Sequence, residues 1–232
     1  KVMLQQMMDE ATVGCYGAAL NFGGIMFTLF TALNNSWCPF FFEDMKQGNR
    51  ENLREKAGNF LELFTVLSVG FVLLASEVYR YVYVSRDFWG STMLIPIFVS
   101  SYYTNFLCTF PVNFEYYHKK TKVVSIITIV SSLINVGLNY LLILRIGMAG
   151  AAVATLISHS LQLTLHYLYV RFALGGKEYP FPLKMWVGYA AVFAVVAVAS
   201  VAADGLWLAR WGLGAAIGLW ELLRIRKRKV LI

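Results

Sequence analysis

Asn135 and Asn139 stand one helical turn apart in LINVGLNYLLILRIG, a stretch whose one charge is Arg145. A carboxamide among such apolar neighbours has to find a hydrogen-bond partner, because leaving it bare in hydrocarbon costs several kcal/mol. The pattern recurs along the chain. Asn21, Gly24, Thr28, Thr31 and Asn35 repeat at intervals of three and four, as do Ser101, Asn105 and Cys108, and Ser132, Asn135 and Asn139. The longest stripe holds Thr155, Ser158, His159, Gln162 and His166. Each set falls on one face of a helix. Such faces suit two tasks: hydrogen-bonding a polar cargo inside a hydrated cavity, or joining neighbouring helices at about 1 kcal/mol per bond. Asn21, Thr28, Asn35, Asn105, Asn135, Asn139, His159 and Gln162 are therefore candidate cavity residues, with Arg145 as a cation at one end. His159 and His166 fit either a hydrogen-bonded core or a proton relay. No nucleophile is paired with a base, no metal-ligand spacing occurs and no phosphate loop is present. The reading is of a protein that is not an enzyme and needs no cofactor or metal.

The elements that position these residues must be membrane helices. Of the 232 residues 58% are hydrophobic and 14% charged, and the mean hydropathy is +0.59, well outside the soluble range. Seven runs are long enough for about 20 apolar residues to cross a hydrocarbon core of about 30 Å: 13–37, 59–78, 92–112, 123–144, 148–172, 185–203 and 206–223. These runs are continuous rather than alternating, which excludes a β-barrel. The predicted fold is an all-α polytopic bundle. Lys and Arg alternate between its ends: Lys46, Arg50, Arg54 and Lys56, then Lys119, Lys120 and Lys122, then Arg171, Lys177 and Lys184, then the tail RIRKRK. The intervening connections hold only Arg80 and Arg86, then Arg145, then none. By the positive-inside rule the first span starts outside and the C-terminus is cytoplasmic. The net charge of +7 has this origin, so no nucleic-acid binding is expected, and the tail should meet anionic headgroups. Glu62 and Glu77 lie near span ends, within reach of the same headgroups. Gly147 and Gly150 flank a short turn, and Gly150, Ala154 and Ser158 give the small-residue spacing that lets two backbones approach. Pro96 and Pro111 sit where they would bend or end the third span. Cys15, Cys38 and Cys108 form no CxxC or Cys/His pattern and read as buried thiols. The opening KVMLQQMMDE lacks a signal-peptide pattern, and a first span that starts outside predicts further helices upstream.

Several motifs together resemble one family. They are ALNNSWCPFFFE before and after Pro39, the KTK step, the N-x-x-x-N-Y-x-L-I pattern of Asn135, Asn139, Tyr140, Leu142 and Ile143, and the G-x-x-G-A-A-x-A-T run from Gly147 to Thr155. Over roughly residues 10 to 172 the chain is similar to the C-terminal half of the Wzx-like polysaccharide flippases, of the multidrug/oligosaccharidyl-lipid/polysaccharide exporter superfamily. The resemblance implies residues 1–172 as five spans of a C-terminal MATE-like bundle. Residues 173–232 would add two helices and a basic tail. It implies a multi-pass protein of the bacterial inner membrane that flips isoprenoid-pyrophosphate-linked oligosaccharide by alternating access. Its partners would be that lipid-linked oligosaccharide, membrane lipids, a polysaccharide polymerase and glycosyltransferases. A cation-coupled multidrug exporter shares the fold and is the nearest alternative. A seven-helix receptor shares the topology, but no D-R-Y follows the third span and no N-P-x-x-Y ends the seventh.

Overall fold

The computed structural model describes residues 2–83, 85–174, 176, 178–203 and 205–228. Among them every regular element is helical: α1 (Val2–Met7), α2 (Glu10–Gln47), α3 (Arg50–Val82), a 3-10 segment (Arg86–Leu94), α4 (Ile95–Tyr117), α5 (Thr121–Phe172), α6 (Leu183–Ala202) and α7 (Trp207–Arg228). Five stretches are long and apolar enough to cross a membrane: α2, α3, the 3-10 segment with α4, α5 and α6.

α5 accounts for two of the expected spans. Its 52 residues break at Ile146 and at Gly147, whose φ of 57° and ψ of −138° are open to glycine. The arms, 121–145 and 148–172, then fold against each other. In an unbroken helix Asn135 and Ser158 would lie about 35 Å apart at 1.5 Å per residue, yet the Asn135 Nδ2 to Ser158 Oγ distance is 3.1 Å. Gly150 is where the backbones meet, since a Cβ there would stand 2.2 Å from the Leu142 carbonyl oxygen.

The seventh expected span corresponds to α7, which is not one of the five apolar stretches. Arg210, Glu221 and Arg224 lower its apolarity, and two of them are held by α3. Arg210 Nη1 pairs with Glu77 Oε1 at 3.2 Å, and Arg224 pairs with Glu62. Arg210 also donates to the Leu73 carbonyl at 2.8 Å. Glu62 and Glu77, expected at headgroups, are thus partnered inside the bundle. The two pairs are 15 residues apart on α3 and 14 on α7, in opposite order, so the helices run antiparallel. The tail cations Arg226, Lys227, Arg228 and Lys229, expected at headgroups, lie outside the described side chains.

Neither internal proline ends its helix. α2 continues past Pro39 to a Gly48 cap with φ 72°, because Phe41 beyond the proline is completely buried. α4 starts with Pro96 in its first turn and runs through Pro111 to Tyr117. Tertiary packing here outweighs the lost backbone bond.

α2, α3 and α4 form the core. Phe64 and Phe106 lie 4.2 Å apart between ring centres, Trp37 stacks on Phe60 at 5.2 Å, and Tyr103 stacks on Phe193 of α6 at 4.3 Å. Lipid is as apolar as these rings, so dispersion and ring geometry rather than water exclusion hold them, at about 0.5–1.5 kcal/mol per pair. The Tyr103 and Thr65 hydroxyls satisfy each other at 2.8 Å.

The Lys- and Arg-rich connections gather at one end, called the basic end below. There Tyr117 donates to the Met45 carbonyl, Arg54 to the Pro180 carbonyl, and Phe41 and Phe114 pack on Phe181 and Tyr179. The opposite end joins Cys15 to the Asp87 carbonyl and Tyr79 to Ser91. The sorting of charge between the ends follows the alternation expected from the sequence.

Candidate functional site

The nine candidate residues separate into an open face and a closed seam. On α2, Asn21, Thr28, Thr31 and Asn35 are all exposed, and Gly24 is half-buried. At 100° per residue these positions fall within a band about 80° wide. The opposite face of α2 carries Phe22, Met26, Phe30 and Trp37 into the core. The helix is therefore anchored by its aromatic side and presents a stripe of amides and hydroxyls outward, flanked by the exposed Ile25, Phe27 and Leu29. Thr28 and Thr31 donate back to the Gly24 and Phe27 carbonyls, which leaves their oxygens able to accept.

Toward the end opposite the basic one this face enters a cavity of about 590 Å³, bounded by Gln5 and Met8 near α1, by Glu10, Gly14 and Asn21 of α2, and by Tyr83. Amide, carboxylate and phenol groups at its edge give it both donors and acceptors. Asp9 caps the start of α2: the Thr12 hydroxyl donates to it at 2.6 Å and the Thr12 amide at 3.2 Å, which holds its carboxyl below the usual range.

The seam lies within α5. Asn135 donates to Ser158, Asn139 donates to the Asn135 carbonyl and carboxamide oxygens at 2.9 Å each, and Gln162 donates to Thr128 at 3.3 Å. The two stripes face each other across the hairpin, and each amide finds a partner there. Ser132, expected beside Asn135, is exposed and bonded to the Thr128 carbonyl, whereas Ser131 is buried. His159 reaches out of the hairpin to the Ser101 carbonyl of α4 at 3.0 Å. Asn105 is half-buried on α4, and Arg145 is exposed at the hairpin turn. Of the nine, Asn21 is the one that lines the cavity beside α1.

Sequence reading missed Glu115. It lies past the expected end of the third span, in FEYYHKK, where a carboxylate reads as a loop residue. In the structure it is completely buried against His166 of α5, 2.9 Å from Nδ1 through either carboxylate oxygen. Arg210, inside the expected span 206–223, was missed because its partner Glu77 is 133 residues away. No local spacing signals either contact. Among the described residues no group of three metal-ligating side chains occurs.

Long apolar helices, charge sorted between two ends and polar groups paired inside define a helical multi-pass membrane protein. No family model matches the chain, and no solved structure does. It is similar to an "Uncharacterized membrane protein" of Haemophilus influenzae (strain ATCC 51907 / DSM 11121 / KW20 / Rd), 26% identical over 138 residues. The matched region is 59% of this chain and 34% of that protein, so the chain spans about a third of the relative's length.

Proposed function

We propose that the chain forms part of a transporter that carries an isoprenoid-pyrophosphate-linked oligosaccharide across the bacterial inner membrane by alternating access, with the open face of α2 lining the path. The observation that carries this reading is the outward stripe of Asn21, Thr28, Thr31 and Asn35 on a membrane span, next to a cavity of about 590 Å³. Lipid is a poor neighbour for such a stripe, so water, cargo or further protein must cover it. A glycan needs dense donors and acceptors along its route, while its lipid tail stays in the bilayer. The N-x-x-x-N-Y pattern at Asn135 to Tyr140 supports the polysaccharide branch over the drug exporters. The basic end would face the cytoplasm, and the exposed Arg145 would meet the pyrophosphate at the external surface.

The test is deletion of the gene, followed by complementation with wild type or with the triple variant Asn21→Leu, Thr28→Val and Asn35→Leu. Deletion should remove surface glycan and leave drug tolerance unchanged. The triple variant should reach normal membrane abundance yet export about tenfold less glycan or worse, the effect of about 1.4 kcal/mol at the limiting step. Unchanged glycan with altered drug tolerance would favour the multidrug exporter. Normal export by the triple variant would remove α2 from the path.

A further inference from the structure

We propose that the groove between α2 and α3 at the basic end binds one phospholipid whose head carries both a phosphate and a primary ammonium, a phosphatidylethanolamine of the adjoining leaflet. The groove is separate from the polar stripe. At 100° per residue, Leu33, Trp37 and Phe40 lie about 170° round α2 from the middle of that stripe, so the inference stands whatever the cargo is.

The groove encloses about 230 Å³, less than the roughly 300–1,000 Å³ of a pocket for a drug-sized molecule. It suits a head and the upper part of one chain. Its apolar floor is Leu33 of α2 together with Trp37 stacked on Phe60 of α3, ring centres 5.2 Å apart, and both rings are buried. Its mouth carries Asn52, Glu55 and Lys56 of α3. At 1.5 Å per residue these three sit within about 10 Å of the α2–α3 connection, whereas Leu33 lies roughly 20 Å from it. The headgroup layer on either side of a bilayer is about 5–8 Å deep. The groove therefore runs from headgroup level into hydrocarbon, the path of an amphiphile rather than of a dissolved ion.

The charges at the mouth choose the head. Lys56 Nζ lies 2.9 Å from Asp44 Oδ2 and 5.4 Å from the centre of the Phe40 ring, and Asn52 donates to the other Asp44 oxygen at 3.1 Å. The buried Asp44 is thereby answered. An ammonium has three N–H donors and Asp44 takes one, so Lys56 is fixed in place with donors left for a phosphate. Glu55, on the next position, is exposed at the mouth. Of the other charged groups nearby, Arg54 turns away to the Pro180 carbonyl at 2.7 Å, Gln47 donates to Glu43 at 3.1 Å, and Lys46, Arg50 and Glu51 are exposed at the connection itself. A head with negative charge alone meets Glu55 beside its lysine, and a head with positive charge alone meets Lys56. A phosphate followed by an ammonium matches both. Because a carboxylate only accepts hydrogen bonds, that ammonium has to donate them, which favours ethanolamine over trimethylated choline.

Native mass spectrometry of the full chain, released from nanodiscs of equal ethanolamine, choline and glycerol phospholipids with matched chains, tests this assignment. Wild type should retain one ethanolamine lipid with about tenfold preference over either other class. Glu55→Gln should still retain one lipid but no longer distinguish ethanolamine from choline. Leu33→Trp, which fills the floor, should lose the bound lipid of every class. Equal retention of the three classes by wild type would mean unselective boundary lipid and overturn the proposal. A preference for the glycerol lipid would show that Lys56 alone is read, and an unchanged preference in Glu55→Gln would remove the carboxylate from the site; either result also overturns it. Displacement of the lipid by water-soluble glycerophosphoethanolamine would show that the head binds without a chain, against an amphiphile site. If Leu33→Trp does not fold, Glu55→Gln, at an exposed position, carries the test by itself.

Discussion

The outward faces of α6 and α2 are both uncovered, and they differ in what they show. α6 exposes Val187, Val192, Val195 and Val198, a surface that lipid solvates at no cost. α2 exposes Asn21, Thr28, Thr31 and Asn35 with Ile25, Phe27 and Leu29 beside them, a mixed surface whose amides lipid does not solvate. Low burial therefore carries two meanings in one bundle, and side-chain chemistry separates them. A valine face ends the protein, while an amide face asks for a neighbour.

The strongest way to break this contrast is to place a charge on each face. Val195→Asp puts a carboxylate into lipid and should cost about 2.5–3.5 kcal/mol of insertion, read as a several-fold loss of membrane-integrated protein. Thr28→Asp, on the face proposed to line a hydrated path, should stay within about 0.5 kcal/mol of wild type. Equal losses from the two variants would erase the distinction.

A finer probe uses two adjacent glycines of α2. A Cβ on Gly23 would lie 2.9 Å from Phe98 Cβ, whereas one on Gly24 meets nothing within 4 Å. Gly23→Ala should destabilise by about 1–3 kcal/mol through overpacking, and Gly24→Ala should gain up to about 1 kcal/mol from helix propensity. Thermal midpoints in nanodiscs would rank the pair, and reversed signs would mean that the packed and open sides of α2 are exchanged.

The smallest expected effect concerns the closed seam. Asn135→Leu removes the bond to Ser158, but that hydroxyl keeps its own bond to the Ala154 carbonyl at 2.8 Å, and Asn139 keeps the backbone oxygen of residue 135. A loss of about 0.6 kcal/mol is expected, with about 1.7 as the ceiling. A larger drop in folded protein would show that the hairpin depends on this amide more than its bond count suggests.

The spans were legible because apolar length is a local property, and the polar stripes because a helix repeats every 3.6 residues. What each stripe faces was not legible. The stripe holding Asn21 and Asn35 and the one holding Asn135 and Asn139 have the same spacing, yet the first is open and the second is closed by the returning arm of α5. Only Gly147, with its left-handed φ, decides that return, and the Gly147–Gly150 turn did show in the sequence. The helix ends were less legible: α2 and α4 run past Pro39 and Pro111 because Phe41 and Phe114 are buried beyond them. Glu115 and Arg210 escaped notice because a charge inside a bundle is explained by a partner far along the chain.

The pairing of α7 with α3 also sets a schedule. Glu77 is made 133 residues before Arg210, and at about 5–20 residues per second a ribosome needs roughly 7–27 s to deliver the partner. For that interval α3 carries a carboxylate in the nascent bundle with its cation still unsynthesised. A chain cut short before Arg210 therefore lacks this partner for Glu77, and α3 loses the ion pair that ties α7 to it.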